Sequence, residues 1–436
     1  MDFPEGTTAP AELMPDGDLV NSSLPMWIDF ANCLLIFCAG TLAAAAGVGG
    51  GAVYTVLYII LFGLVYEAIP LSKVAVFGTS LAFFVSHIMN PVPKCTKHAN
   101  RFAYDAVMIM EPTTLLGTVI GVLASRVFPY WLITTMMAVL LSFSASKTFA
   151  KGSKIRSKET PKLGYETEED TLLLNDSFDS DDSLTEDESI WRFDWIGWRC
   201  FLSVFICFAT VFTTSLLESD LGSLKIECGT WQFWMLVGVN ILVCASVTAW
   251  NVNYLVRSSY RLQQSRECVI LWDMEVGFKY SSLCFVAGLL SALCGVGGST
   301  IKGPILLQMG IHPTLSKATS QLMLLSTVSA SAFQFYLEGA VPPEYAIQFF
   351  TIAILAALCG KFAIDVYVER YGGRQSTIVF LLAWYIVIAA VLMSIIGVVI
   401  ILGQFRPTID YQQLWFRSIC DAIPPDYGAL KLLTEL

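Results

Sequence analysis

Along the chain, long runs of apolar residues alternate with short polar junctions. Many runs are roughly 16 to 25 residues long, the length a helix needs to cross about 30 Å of hydrocarbon. Strands of a membrane barrel would instead alternate apolar and polar positions over about ten residues, a pattern the runs lack. About twelve segments stand out: 27–46, 52–64, 74–89, 104–124, 128–146, 196–217, 231–256, 278–294, 300–309, 318–337, 345–366 and 376–402. Several are too short to span alone and read as broken or re-entrant helices. The pattern predicts an all-α integral membrane protein.

Lys and Arg collect in alternate junctions, at Lys94, Lys97 and Arg101, at 147–162, at Arg257, Arg261 and Arg266, at Lys317, and at Arg370 and Arg374. Basic residues favour cytoplasmic loops, so both termini are placed on the non-cytoplasmic side. The sequon Asn21-Ser22-Ser23 lies on that same side,. No basic residues precede the first block, so no cleavable leader is expected,.

The chain repeats itself. Gly40 to Gly51, ending Gly47-Val48-Gly49-Gly50-Gly51, returns as Gly288 to Ser299, ending Gly295-Val296-Gly297-Gly298-Ser299, and each copy is followed by Ser-Lys, at Ser72-Lys73 and Ser316-Lys317. An odd number of segments separates equivalent points, which predicts two inverted repeats. The predicted organisation is a non-cytoplasmic tail (1–26), a first repeat (27–146), a cytosolic acidic loop (147–195), linking helices (196–256), a second repeat (277–402) and a C-terminal tail (403–436).

Composition agrees: of 436 residues, 55% are hydrophobic and 14% charged, against roughly a quarter charged in soluble domains. The net charge of -10 comes from acids in the N-terminal tail and at 159–188, so it says little about nucleic acid, and no nucleic-acid partner is expected. The acidic, Ser-rich stretch has too little apolar surface to fold alone. Within it, Glu168, Leu172 and Leu173 resemble an acidic dileucine sorting signal, with sorting adaptors as implied partners and a solvated spacer as the plain alternative. The twelve cysteines form no C-x-x-C pair and read as small packing residues.

Glycines in mid-segment permit an irregular backbone, tolerated at membrane depth only where it lines a cavity or packs within protein. A break also creates a helix N-terminus whose free N-H groups and partial positive charge favour an anion. Gly47, Gly49, Gly50, Gly51, Gly295, Gly297, Gly298 and Ser299 are therefore candidate cradle residues, with close helix packing through small residues as the alternative,. Thr79, Ser80, Thr319, Ser320 and Gln321 supply neutral donors beyond each break, although such side chains equally bond their own helix,. Lys302 stands in an otherwise apolar segment, so it faces an anion or partner, or else snorkels to an interface,. Lys73 and Lys317, at loop-helix junctions, read as interface anchors. Glu111, followed by Pro112, is a candidate for proton coupling or a hydrogen-bonded lock between helices,. Neither a metal-ligand spacing nor a nucleophile elbow occurs, so no enzyme and no cofactor is expected.

These motifs resemble the sulfite exporter TauE/SafE-like (TSUP) membrane proteins, and specifically their eukaryotic, plant-like branch. The likeness is carried by Gly47 to Gly51, Leu71-Ser72-Lys73, Tyr104-Asp105, Met110 to Gly117, Gly288 to Gly298, Gly303 to Pro313, Lys317 to Ser320 and the stretch from Phe335 to Tyr345. The sequence departs from the pattern at Ser299 and Lys302. The resemblance implies a secondary transporter, an exporter or exchanger of a small anion such as sulfite or an organosulfonate, driven by protons or the membrane potential. Its setting would be the plasma membrane or an endolysosomal or vacuolar membrane. The rival reading is a transport-inactive scaffold or sorting receptor that acts through its acidic loop.

Overall fold

Apolar runs that must satisfy their own backbone in lipid have one local solution, the helix. The computed structural model describes residues 26–45, 49–62, 64, 67–89, 102–159, 186–219, 229–263, 272–295, 298–309, 311, 313–371 and 375–404. Among these residues the regular structure consists of α-helices: α1 (Met26–Ala45), α2 (Gly51–Phe62), α3 (Ala68–Met89), α4 (Tyr104–Val127), α5 (Tyr130–Glu159), α6 (Glu186–Glu218), α7 (Trp231–Gln263), α8 (Met274–Cys294), α9 (Ser299–Gln308), α10 (Pro313–Leu337), α11 (Pro343–Tyr371) and α12 (Gln375–Gln404). They match the apolar segments in order. Helices α5 and α6 extend past their apolar cores into the flanks of the acidic stretch. Seven helices, α3 to α8 and α11, are long and apolar enough to cross a bilayer. Phe30, Leu242, Phe278, Ile347 and Phe362 are exposed on the outer surface. In water so much exposed apolar surface would be a liability, whereas hydrocarbon suits it.

The helices fall into two fives, α1–α5 and α8–α12, joined through α6 and α7. Packing between the fives is reciprocal. Helix α4 lies along α8 and α1 along α11; α3 meets α11 and α10 meets α4; α3 pairs with α10 and α5 with α12. Exchanging the fives leaves this pattern unchanged. Glycine sits at the closest approaches: a side chain on Gly288 would strike the Thr114 carbonyl and one on Gly117 the Phe285 carbonyl, while on the other side Gly40 faces Ala356 and the Tyr54 ring. Small residues let backbones touch where lipid supplies no hydrophobic drive for association.

Each five begins with a broken helix. Gly50, at φ 74°, and Gly295, at φ 66°, adopt the left-handed conformation that L side chains avoid,. After each break a new helix starts on a glycine carbonyl. Gly50 O accepts from Val53 N and Tyr54 N at 3.0 Å, and Gly298 O accepts from Ile301 N at 3.2 Å and Lys302 N at 3.0 Å. Gly50 and Gly298 hold the same place in the repeated motif. The first amides of α2 and α9 are left without intrahelical partners.

Candidate functional site

Glu111 lies in the middle of α4 and is 0% exposed. Pro112 has no N-H for the Met108 carbonyl one turn back, and Asn251 on α7 replaces it, donating from Nδ2 to Met108 O at 2.9 Å. The proline therefore leaves no orphaned acceptor, and α4 continues through it. Glu111 projects toward the second five. Its Oε2 lies 2.9 Å from Lys302 Nζ, its Oε1 accepts from Thr327 Oγ1 at 2.8 Å, and Ser326 Oγ also donates to it.

Lys302 is on the first turn of α9, directly after the second break, and is likewise 0% exposed. Besides Glu111, its ammonium reaches Thr327 Oγ1 at 2.8 Å and the Met323 carbonyl at 3.4 Å. Of the alternatives the sequence left open for Lys302, burial with a partner is the one observed. Thr327 Oγ1 also lies 2.6 Å from Met323 O, so its one proton is shared between that carbonyl and Glu111, which holds the side chain beside the pair. A buried ion pair is poor evidence of stability, because desolvation offsets the attraction.

Lys73 differs from its sequence reading. Instead of anchoring at an interface, it is 1% exposed and inserts between the two fives, donating to the backbone oxygen of Ser291 and, at 3.2 Å, to Ser291 Oγ. Ser291 belongs to the last turn of α8, immediately before the second break. Among the described residues Lys73 meets no carboxylate. The motif-equivalent Lys317 is exposed, as an interfacial lysine would be.

The glycine breaks are unequal in the space around them. A Cβ on Gly49 would lie 2.8 Å from Leu324 and 2.9 Å from Val76, so the first break is packed between α3 and α10. Gly295 is closed by Thr55 Oγ1 and Ser72 Oγ, at 2.8 and 3.1 Å. At Gly298 an added Cβ would meet only ordinary contacts, 3.6 Å to Ser291 Oγ and 3.7 Å to Lys302 Cε. The Ser299 hydroxyl at the start of α9 is buried and has no hydrogen-bond partner. At the second break the start of α9, the unpartnered Ser299 hydroxyl and the Lys73 and Lys302 side chains flank Gly298. Lys73, Lys302 and Ser299 are all buried.

The remaining candidates are more dispersed. Gly50 leads α2 and Gly51 opens it, both buried; Gly47 and Gly297 lie outside the described residues. Thr79 Oγ1 and Ser80 Oγ donate to their own helix at Ala75 O (3.1 Å) and Phe77 O (3.0 Å). Thr319 donates to Leu315 O at 2.7 Å and accepts from Ala103 N at 3.0 Å, and Ser320 donates to Lys317 O at 2.9 Å. These hydroxyls follow the self-bonding alternative. Gln321 is buried on α10. The dileucine-like residues Glu168, Leu172 and Leu173 lie outside the described residues. Sequence reasoning missed Ser326, Thr327, Ser291 and Asn251. The signal available was the run Ser326-Thr327-Val328-Ser329-Ala330-Ser331, a small-polar stripe in an apolar helix.

A second polar contact ties the ends of helices together: Arg126 at the end of α4 reaches Glu338, in the turn after α10, at 2.7 Å. Burial raises the Glu338 carboxyl above the usual value, and Arg126 offsets part of that rise.

Comparison with known proteins adds the following. The family model described as "Sulfite exporter TauE/SafE" matches residues 32–216 and 280–415. Curated relatives from Arabidopsis thaliana include "Sulfite exporter TauE/SafE family protein 5", 30% identical over 383 residues (84% of this chain, 82% of that one). Also similar are "Sulfite exporter TauE/SafE family protein 2", at 28% over 398 residues (84% and 82%), and "Sulfite exporter TauE/SafE family protein 3", at 24% over 408 residues (90% and 83%). No solved structure matches.

Proposed function

Because the chain belongs to the sulfite exporter TauE/SafE family, we propose that it is a secondary transporter, an exporter or exchanger, of a small anion such as sulfite or an organosulfonate, and that Glu111 couples this transport to protons. The supporting observation is the sealed Lys302–Glu111 pair at the second break. While Glu111 is ionised, it competes with an incoming anion for Lys302, the more so the higher the anion's charge. A proton on Glu111 frees the ammonium, so a proton and a doubly charged anion each favour the other's binding, and the coupling is reciprocal.

The two fives are read as antiparallel repeats that exchange access to this site from one side to the other, a reading that the reciprocal packing supports,. With both termini on the non-cytoplasmic side, a negative interior drives an anion out with about 2.3 kcal/mol per charge per 100 mV. Uptake against that potential draws on protons through Glu111.

Purified protein in liposomes tests the proposal. Sulfite loaded inside should leave down its gradient, and acidifying the side from which the anion enters should accelerate it. Glu111→Gln should retain exchange and lose the pH response. Absence of flux for sulfite, sulfate, sulfonate and thiosulfate alike would exclude transport; a pH profile that survives Glu111→Gln would return Glu111 to a structural role.

A further inference from the structure

Lys73 is the buried charge that the coupling scheme does not use. It comes from the first five, yet it ends at Ser291 in the second, on the opposite flank of the break from Lys302. The path between the two lysines is short. Ser291 Oγ lies 3.2 Å from Lys73 Nζ, and the methyl-sized space on Gly298 lies 3.6 Å from that hydroxyl and 3.7 Å from Lys302 Cε. The N-terminus of α9 opens onto the same point, with the Ser299 hydroxyl, 7% exposed, lacking a partner.

We propose that Lys73 is a second cationic binding residue of the anion site, and that its charge lets the site take a doubly charged tetrahedral or pyramidal oxyanion when Glu111 is protonated and a singly charged one when Glu111 is ionised. This rests on the transport reading above and adds the charge class of the substrate. The reasoning is charge balance in a sealed, poorly solvated place, where an uncompensated ion is costly. Two ammonium groups and one carboxylate leave a single positive charge, which one monoanion cancels. A dianion requires the carboxylate to be neutral as well. Oxygens on the anion would take the first amides of α9, the Ser299 hydroxyl and the two ammonium groups.

Other titratable groups lie around Glu111, and the balance above counts only the ion pair and Lys73. Cys200 and Cys207 of α6 and Cys284 of α8 are near enough to act on it electrostatically, and Cys294 of α8 lies near Lys73. These are thiols, uncharged at neutral pH in the ordinary case. Helix α10 supplies the hydroxyls of Ser326 and Thr327. Asp105, a turn and a half earlier on α4, acts on Cys200 as Glu111 does.

Calorimetric titration of the purified full-length protein with sulfate as the dianion and methanesulfonate as the monoanion tests the proposal. In the wild type, sulfate should take up about one more proton per bound anion than methanesulfonate, read from buffers of different ionisation heat. Lys73→Met should weaken sulfate at least tenfold and methanesulfonate less than threefold, and Lys73→Arg should restore sulfate. Ser291→Ala, which removes the hydroxyl acceptor of Lys73 and leaves the backbone one in place, should tighten sulfate and covers the case in which Lys73→Met does not fold. Equal weakening of both anions by Lys73→Met, or unchanged sulfate affinity in both Lys73→Met and Ser291→Ala, overturns the role of Lys73 and leaves the transport reading intact. A wild type that binds neither anion overturns the transport reading itself.

Discussion

The surroundings of the two glycine breaks occupy equivalent places in the two fives, yet among the described residues around them only the second carries an ion pair. Lys302 stands at the same offset from the second motif as Tyr54 from the first, and Ser326 and Thr327 correspond to Ala82 and Phe83. Packing supplies the counterpart of Glu111. Gly288 rests against Thr114 and Gly40 against Ala356, so three residues back along each helix stand Glu111 and Ala353. Where the second break has carboxylate, ammonium and hydroxyls, the first has Ala353, Tyr54, Ala82 and Phe83. Aromatic stacking fills that side, with Tyr58 4.4 Å from Phe349 between ring centres. The contrast teaches that a repeated frame can be symmetric in its helices while its chemistry is confined to one copy. Gly49 at the first break and Gly295 at the second are both closely packed, whereas Gly298 meets only ordinary contacts.

Substitutions at equivalent positions break or sharpen that contrast. Removing one member of the buried pair should have the largest effect: Lys302→Met should cost about 3 kcal/mol or more, against about 1 kcal/mol for Tyr54→Phe, which loses the hydrogen bond between the Tyr54 hydroxyl and Thr79,. Thermal unfolding in detergent measures both. Glu111→Gln combined with Lys302→Met should recover most of the loss, because an uncharged pair of similar volume avoids desolvation. No recovery would mean that the ions hold the helices together by direct attraction.

A smaller effect is expected at the glycines. Gly49→Ala drives a methyl group into Leu324 and Val76 and should cost about 1 to 3 kcal/mol. Gly298→Ala meets only ordinary contacts and should melt within about 1 kcal/mol of the wild type, while anion binding falls because the methyl group takes the ligand's place. The reverse ranking in melting would show that the second break is the tighter of the two.

The smallest effect is at Glu338. Its carboxyl is held above the usual value by burial, with Arg126 working against the rise. In the packed state it therefore binds its proton more tightly than in the opened state. Its contribution is present below the ordinary Glu value and is lost as pH rises through the raised one. Melting temperature should fall across that interval, and Glu338→Gln should flatten the fall; an unaltered slope would assign it to another group.

Most of the frame was legible in the sequence because lipid imposes length and period on any spanning helix. The apolar blocks, the broken helices and the repeat each left a local mark. The pairing of Glu111 with Lys302 did not, since 191 residues separate the partners and only tertiary packing brings α4 onto α9 and α10. Lys73 was misleading for a related reason. Near a helix start it has the pattern of an anchor, and its equivalent Lys317 is exposed, but the close approach of α3 to the second five carries Lys73 inward. The hydroxyls at Thr79, Ser80 and Ser320 show the limit from the other direction, because a side chain able to bind a ligand can equally bond one turn back on its own helix.

The amide that Asn251 lends to Met108 changes the standing of the helices between the fives. Helix α7 belongs to neither copy, yet it caps the carbonyl that Pro112 leaves free beside the acidic side chain. A version of the protein trimmed to its duplicated parts would keep every ionised group named above while leaving a bare carbonyl beneath one of them. The intervening pair is therefore a third structural partner rather than a spacer.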